Sequence, residues 1–330
     1  MLSKFKFWLE CSRWYTLPMS FFAWLVIFVY SFKNGGNFLY GIIALLGILS
    51  AHLATNLFDD YCDYKILLKY KDNNGNLVLP NTQRGKCRYL LNGSVNSSDM
   101  LRVIYYYCTF SFCVGLFFTL VVSYKVLWFM LSGGLIVLFY SFLSRKKLSE
   151  LAVALAFAPI LYSGVYLVMC GHLSVKPLIL SLPTLFFTVN LLYTDNFLDK
   201  DIDRNENKKT IANSFFSDKE SILFLITIIL FGYLSLFIVY VSHIVSEKVF
   251  LVFLTLPLSF DLVKSLKLYS YDKTIIPNKK WFHFPFEDWN DIIKNRSASF
   301  MFRMYQARNI MIYNSIILSF VILFSTIQIT

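Results

Sequence analysis

Two short stretches concentrate acidic residues in a chain that has few of them. The first reads Asn56-Leu-Phe-Asp59-Asp60-Tyr-Cys-Asp63-Tyr-Lys65, and the second Asp195-Asn196-Phe-Leu-Asp199-Lys-Asp201-Ile-Asp203. On a helix, positions three or four apart share a face. Asn56, Asp60 and Asp63 therefore form one stripe, and Asp195, Asp199 and Asp203 another. Carboxylates that share a face repel one another and are costly at membrane depth, so a cation must compensate them. Oxygen-only donors suit a hard ion such as Mg2+, which keeps several waters and often bridges carboxylates to phosphate. Basic residues follow each cluster: Lys65, Arg84, Lys86 and Arg88 after the first, Arg204, Lys208 and Lys209 after the second. Acids, Mg2+ and Lys/Arg together describe a diphosphate site, and an apolar, aromatic surround suits a long isoprenoid tail. One acid cluster past a helix end is often only a solvated face. Two with the same spacing on the same side of the chain are poorly explained that way.

The elements that position these stripes follow from composition. Of 330 residues 57% are hydrophobic and 15% charged, with a mean hydropathy of +0.56 and 34 Phe, 21 Tyr and 6 Trp. A soluble domain carries about 25% charged residues, so an ordinary cytosolic globule and a disordered chain are both excluded. Apolar run length predicts nine helical spans, at roughly 15–32, 37–58, 101–123, 126–143, 150–170, 175–196, 221–242, 248–265 and 305–328. Pro159, Pro177, Pro183 and Pro257 fall within them, as membrane helices allow. The fold class is all-α, a polytopic membrane protein forming a single domain over residues 1–330. The loops about 66–100 and 266–304 are extended.

All but four of the 31 Lys and Arg residues fall in the N-terminal segment and in the loops that follow even-numbered spans. Lys33, Lys125, Lys176 and Lys248 are alone on the other side. This positive-inside asymmetry predicts a cytoplasmic N-terminus, a cytoplasmic acidic face and an external C-terminus. The net charge of +11 therefore reads as topology rather than nucleic-acid binding. Six cysteines without a C-x-x-C pair indicate neither zinc nor a disulfide framework. The first ten residues lack a signal-peptide cleavage pattern, so the first span reads as retained.

The two acidic motifs resemble those of the UbiA superfamily of intramembrane prenyltransferases, which pairs an N-D-x-x-D type motif with a D-x-x-x-D motif on nine helices. Asp59-Asp60-Tyr-Cys-Asp63 sits in the first position and Asp199-Lys-Asp-Ile-Asp203 in the second. The run from Asp199 to Lys208-Lys-Thr210 is similar to the 1,4-dihydroxy-2-naphthoate branch. So are Arg13-Trp-Tyr-Thr-Leu-Pro18 and the run from Leu148-Ser-Glu150 through Pro159 to Gly164. The sequence departs from the pattern where Asp59 replaces the Asn before the first Asp, with Asn56 one turn earlier. It departs again where Leu198 replaces an Arg, and where the third acid after the first motif has no close counterpart except the more distant Asp72.

What the resemblance implies is a nine-helix bundle with a central cavity open to the cytoplasmic side, in a bacterial cytoplasmic membrane. Two Mg2+ ions would hold an allylic polyprenyl diphosphate, whose prenyl group passes to an aromatic acceptor, dihydroxynaphthoate in menaquinone synthesis leading. Asn56, Asp60 and Asp63, with Asp59 as an alternative to Asn56, would hold one ion; Asp195, Asp199 and Asp203 would hold the other. Asp60, Asp63, Asp199 and Asp203 are the catalytic set. Lys65, Arg84, Arg145 and Lys208 are candidates for the diphosphate oxygens. Arg13 and Glu150 are candidates for contacting the acceptor or gating the site, and Tyr140 for the pocket wall. His52, one turn before Asn56, reads as packed. Other acceptors (4-hydroxybenzoate, homogentisate, haem, chlorophyllide, a sugar phosphate) remain open. Two readings outside this activity are a cation-coupled transporter, whose acids belong near the midplane on broken helices, and a non-catalytic relative that binds isoprenoid.

Overall fold

The computed structural model describes residues 2–69, 87–205, 209–287, 289–294 and 297–325. Among them, nine helices are long and apolar enough to cross a membrane: α1 Trp14–Lys33, α2 Phe38–Leu67, α3 Ser97–Val121, α4 Val126–Ser144, α5 Ser149–Cys170, α6 Lys176–Leu198, α7 Asp218–Val241, α8 Glu247–Tyr271 and α9 Ala298–Phe324. Their order and number match the hydropathy spans.

Local signals set the helix ends. Asn37 caps α2 by accepting from the Tyr40 N–H at 3.1 Å. Ser217 and Glu220 form a capping box at the start of α7, and each satisfies an otherwise orphan N–H of the first turn. Gly171, with φ +79°, ends α5 in the left-handed region that glycine adopts without strain. Within α5, Pro159 has no N–H to donate, and the helix opens into a π turn over Ala156–Ile160.

Burial sorts the helices into layers. The apolar windows of α6 and α9 are 67% buried, whereas those of α3 and α4 are 11% buried. The inner helices α1, α5, α6 and α9 share one continuous apolar core with α7 and α8. The helix α3 packs on α2, and α4 touches α2, α3 and α5. The helices α3 and α4 thus form an outer layer beside the denser core of the remaining helices. A chain of nine such spans is a multi-pass integral membrane protein.

The helix α2 extends well past the predicted span. At about 1.5 Å per residue its 30 residues measure about 45 Å, against about 30 Å for a hydrocarbon core. Asp59, Asp60 and Asp63 therefore ride on regular helix in its last turns, with backbone groups satisfied and side chains held at fixed angles.

Candidate active site

The first acidic stripe is met by the chain's N-terminal segment. Arg13, in the left-handed region at φ +56°, turns the chain from the short helix Leu2–Cys11 into α1. One of its Nη atoms lies 3.3 Å from Asp59 and 3.1 Å from Asp60 and donates to the Asn56 carbonyl at 3.0 Å. Asn56 answers with its amide, donating to the Ser12 carbonyl at 3.0 Å and to Thr16 Oγ1 at 2.9 Å. Both amide protons are thus committed to the N-terminal segment, and Oδ1 is the amide's remaining polar atom. Asp59 and Asp60 are both buried, so their proximity requires the guanidinium between them.

The second stripe begins on α6 and runs past its end. The helix pauses at Asp199, yet the ladder continues, with Asp199 N–H on the Asp195 carbonyl at 3.1 Å and Asp203 N–H on the Asp199 carbonyl at 2.9 Å. The three acids therefore keep their one-turn spacing into the short helix Lys200–Asn205. That helix is pinned at both flanks: Lys200 pairs with Asp218 at the start of α7, and Lys273 pairs with Asp201. The Lys273 hydrogen bond holds the Asp201 carboxyl below the usual carboxylate range. Tyr269 Oη donates to the Leu198 carbonyl at 3.3 Å, fixing the turn itself.

The loop between α4 and α5 ties the two motifs together. Arg145 donates to Asp63 at 2.5 Å. Two residues on, the Lys147 N–H donates to the Lys209 carbonyl at 2.9 Å, docking the tail of the second motif on the same loop. Glu150 then sits in the first turn of α5, buried, accepting from Ser149 Oγ at 2.8 Å and from Asn196 Nδ2 at 2.8 Å. Glu150 thereby sets the angle of Asn196, the neighbour of Asp195.

These elements surround a cavity of about 1440 Å3. Arg13, Asn56, Asp59, Asp60, Asp63, Tyr140 and Asp195 line it, as do His52 and Arg88, so these residues named from the sequence meet there. Asp199, Asp203, Arg145 and Glu150 stand outside the lining: Asp199 is one helical turn past Asp195 and Asp203 a further turn on, Arg145 pairs with Asp63, and Glu150 accepts from Asn196. Lys65 is exposed, with its ammonium 5.5 Å from the Tyr61 ring. Arg84 and Lys208, like Lys86 and Asp72, lie outside the described residues. Away from the acids the wall is apolar, contributed by α3, α4, the π turn of α5 and the start of α9.

Sequence reasoning missed several wall residues. The segment 281–287 runs back along α9: Asn309 Nδ2 donates to the carbonyls of His283 at 2.7 Å and Pro285 at 3.1 Å, and Tyr305 Oη to that of Glu287 at 2.8 Å. This brings Glu287 to the cavity, paired with Arg308 at 2.9 Å. His283 is clamped between Asp261, 3.0 Å from its Nε2, and the Lys280 N–H, which donates to Nδ1 at 3.2 Å. Nothing in hydropathy signals such a strap; its anchor, Asn309, reads as one more polar residue in an apolar helix.

The donor set fits a divalent, oxygen-preferring cation. No three acidic, His or Cys side chains among the described residues form a ready cage. Mg2+ asks for none, since it binds through one or two carboxylates plus waters and phosphate oxygens. Asp60, Asp63 and Asp195 face the cavity as oxygen donors, and a guanidinium already stands as the compensating cation between Asp59 and Asp60.

Comparison with known proteins agrees with this architecture. The chain is 23% identical over 251 residues to UbiA prenyltransferase domain-containing protein 1 of Xenopus tropicalis, covering 74% of this chain and 68% of that protein. It superposes with a TM-score of 0.57 on a digeranylgeranylglyceryl phosphate synthase, at 13% identity, over 97% of this chain and 99% of the other. The TM-score is 0.53 with a UbiA homolog from Archaeoglobus fulgidus bound to GPP and Mg2+, again at 13% identity, over 92% and 99% of the two chains. Identities this low show a shared fold. The family itself is shown by a match of residues 19–284 to the UbiA prenyltransferase family, and the chain therefore belongs to that family and is a UbiA-type prenyltransferase.

Proposed function

We propose that this protein transfers a polyprenyl group from an allylic polyprenyl diphosphate to an aromatic acceptor, 1,4-dihydroxy-2-naphthoate being the acceptor favoured by its motifs. The observation that carries the reading is the meeting, on a large cavity with apolar walls, of the first acid stripe with its partners Arg13 and Arg145 and of Asp195 from the second. The Archaeoglobus homolog bound to GPP and Mg2+ supports the donor and the ion. The acceptor rests on Arg13–Pro18, Leu148–Gly164 and Lys208–Thr210 and their likeness to the naphthoate branch. The positive-inside charge supports a cytoplasmic acidic end, and residues 1–330 act as one domain.

Asn56 or Asp59, with Asp60 and Asp63, would hold one Mg2+, and Asp195, Asp199 and Asp203 would hold a second. The bound ions supply neutralisation of the charge that develops on the leaving diphosphate. Arg145 orients Asp63, and Glu150 orients Asn196 beside Asp195. Lys65, Arg84 and Lys208 serve the diphosphate oxygens. Departure of the diphosphate leaves the allylic carbon cationic, and aromatic faces such as Tyr140 shelter it, each contributing about 0.5–2 kcal/mol. The apolar wall keeps out water that would quench the cation.

The test is transfer of labelled geranylgeranyl or farnesyl groups in detergent, with and without Mg2+, against a panel of aromatic acceptors led by dihydroxynaphthoate. Asp60→Ala and Asp199→Ala are expected to abolish transfer while leaving the protein inserted and folded. Wild-type turnover in either variant would sink the metal assignment. Diphosphate binding without transfer to any aromatic compound would exclude the aromatic acceptor.

A further inference from the structure

The geometry points to Ser20 and His52 as the proton-accepting pair of the reaction, at a subsite for the acceptor on the membrane-facing side of the diphosphate site. This inference rests on the prenyl-transfer reading. Whatever the acceptor, the balance is the same: the allylic C–O bond breaks with its electron pair going to the diphosphate, and the new bond forms at an acceptor carbon or oxygen. One proton must then leave the acceptor, so a base is needed within reach.

His52 is the one histidine among the described residues that lines the cavity. It stands on α2 eight residues before Asp60, about 12 Å along the axis, so a molecule against it lies deeper than the acids. Its ring packs edge-on against Phe157 of the α5 π turn, centroids 5.4 Å apart. No carboxylate pairs with it among the described residues. Its two nitrogens instead meet hydroxyls on α1: Ser20 Oγ 2.6 Å from Nδ1, and Thr16 Oγ1 3.2 Å from Nε2.

The surrounding bonds fix the tautomer. Thr16 donates its own proton to the Arg13 carbonyl at 2.8 Å and accepts from Asn56 Nδ2 at 2.9 Å. Toward His52 it therefore acts as a second acceptor, and Nε2 carries the hydrogen. Nδ1 is left as an acceptor, with the Ser20 hydroxyl donating to it.

The step follows. As the prenyl–acceptor bond forms, the acceptor's proton passes to Ser20 Oγ while the Ser20 proton passes to His52 Nδ1. The imidazolium keeps its Nε2–H on Thr16, and the proton returns to solvent when the product leaves. Ser20 also lines the cavity, as a relay must.

His52→Gln separates this role from packing, because a glutamine amide can still donate to Thr16 and accept from Ser20 but takes no proton. With Mg2+, labelled farnesyl diphosphate and an acceptor the wild type uses, transfer is expected to fall about 100-fold or more, the usual contribution of a general base. Mg2+-dependent diphosphate binding and the thermal midpoint should stay at wild-type values, and farnesol from water capture should rise relative to product. Ser20→Ala should shift the same partition. Wild-type transfer by His52→Gln would overturn the proposal, and so would parallel loss of diphosphate binding, the mark of a structural role. Failure of the wild type itself to transfer would sink prenyl transfer and the base with it, a result distinct from loss confined to the variants.

Discussion

Replacing Arg13 by Met should make the stability of this protein depend on Mg2+. The Arg13 guanidinium is 3.3 Å from Asp59 and 3.1 Å from Asp60, with side-chain exposures of 18%, 8% and 9%. Charges about 4 Å apart at an effective dielectric near 20 attract by about 4 kcal/mol per pair, most of which offsets the desolvation of the three ions. Removing one partner of a fully buried pair costs about 3–5 kcal/mol, because the other charge is left uncompensated. Arg13 retains some contact with water, so we expect about 2–4 kcal/mol for the loss. A divalent cation held by the same carboxylates would restore the compensation. A ligand at 100 times its dissociation constant stabilises by about 2.7 kcal/mol, enough to recover most of that deficit. The assay is thermal unfolding in detergent, in EDTA and in excess Mg2+, for wild type and Arg13→Met. The variant should melt well below wild type in EDTA, and Mg2+ should bring it back more than half of the way to the wild-type midpoint measured in EDTA. Equal midpoints in EDTA would refute the ion-pair reasoning. A gap that Mg2+ leaves unchanged would show that the guanidinium and the metal do not share Asp59 and Asp60.

Glu150→Gln turns an acceptor of two hydrogen bonds into a group that opposes one of its donors with an N–H, so a loss of about 1–3 kcal/mol is expected, read as a lower thermal midpoint. Transfer should fall with it as Asn196 loses its fixed angle. The pH dependence of the strap should follow His283, which lies outside the membrane spans and whose imidazole is held below its ordinary value chiefly by burial, against the opposing pull of Asp261. A lowered folded value means that the unfolded chain binds the proton more readily. Stability from this site is therefore complete above the unfolded value of about 6.5 and is lost as the pH falls below it. Unfolding midpoints across pH 5–8 should decline on the acid side in wild type, and His283→Gln should flatten that decline.

The nine helices were legible because apolar runs of this length admit one solution in a bilayer, with every backbone group bonded inside its own segment. Asp60 and Asp63, at helical spacing, were legible for a related reason: α2 stays regular through them, so sequence distance converts directly to angle. Legibility ended where a contact joins segments far apart in the chain. Arg145 reads from the sequence as a candidate for the diphosphate oxygens, and only the folded chain lays it on Asp63. Glu287 lies in the long polar stretch between α8 and α9 and its partner Arg308 on α9, and no periodicity predicts that Asn309 will hold the strap by two carbonyls. His52 was read as a packed residue because a lone histidine gives no spacing to interpret, and its partners Thr16 and Ser20 lie on another helix.

The N-terminal segment shows why motif spacing alone understates this site. Asn56 spends both amide protons on Ser12 and Thr16, Arg13 reaches back to the Asn56 carbonyl, and Thr16 joins Arg13, Asn56 and His52. All of these but the Thr16–Arg13 bond cross from α2 to the turn at the start of α1, so the angle of the first acid stripe is set by residues about 40 positions earlier. The same turn places a cation on Asp59 and Asp60 and a hydroxyl on His52. Charge compensation at the acidic end and proton acceptance deeper in the cavity thus depend on one piece of backbone, which requires Arg13 to hold a left-handed conformation. Such a conformation is unfavourable for a non-glycine residue, and it persists here because the bonds on either side over-determine it.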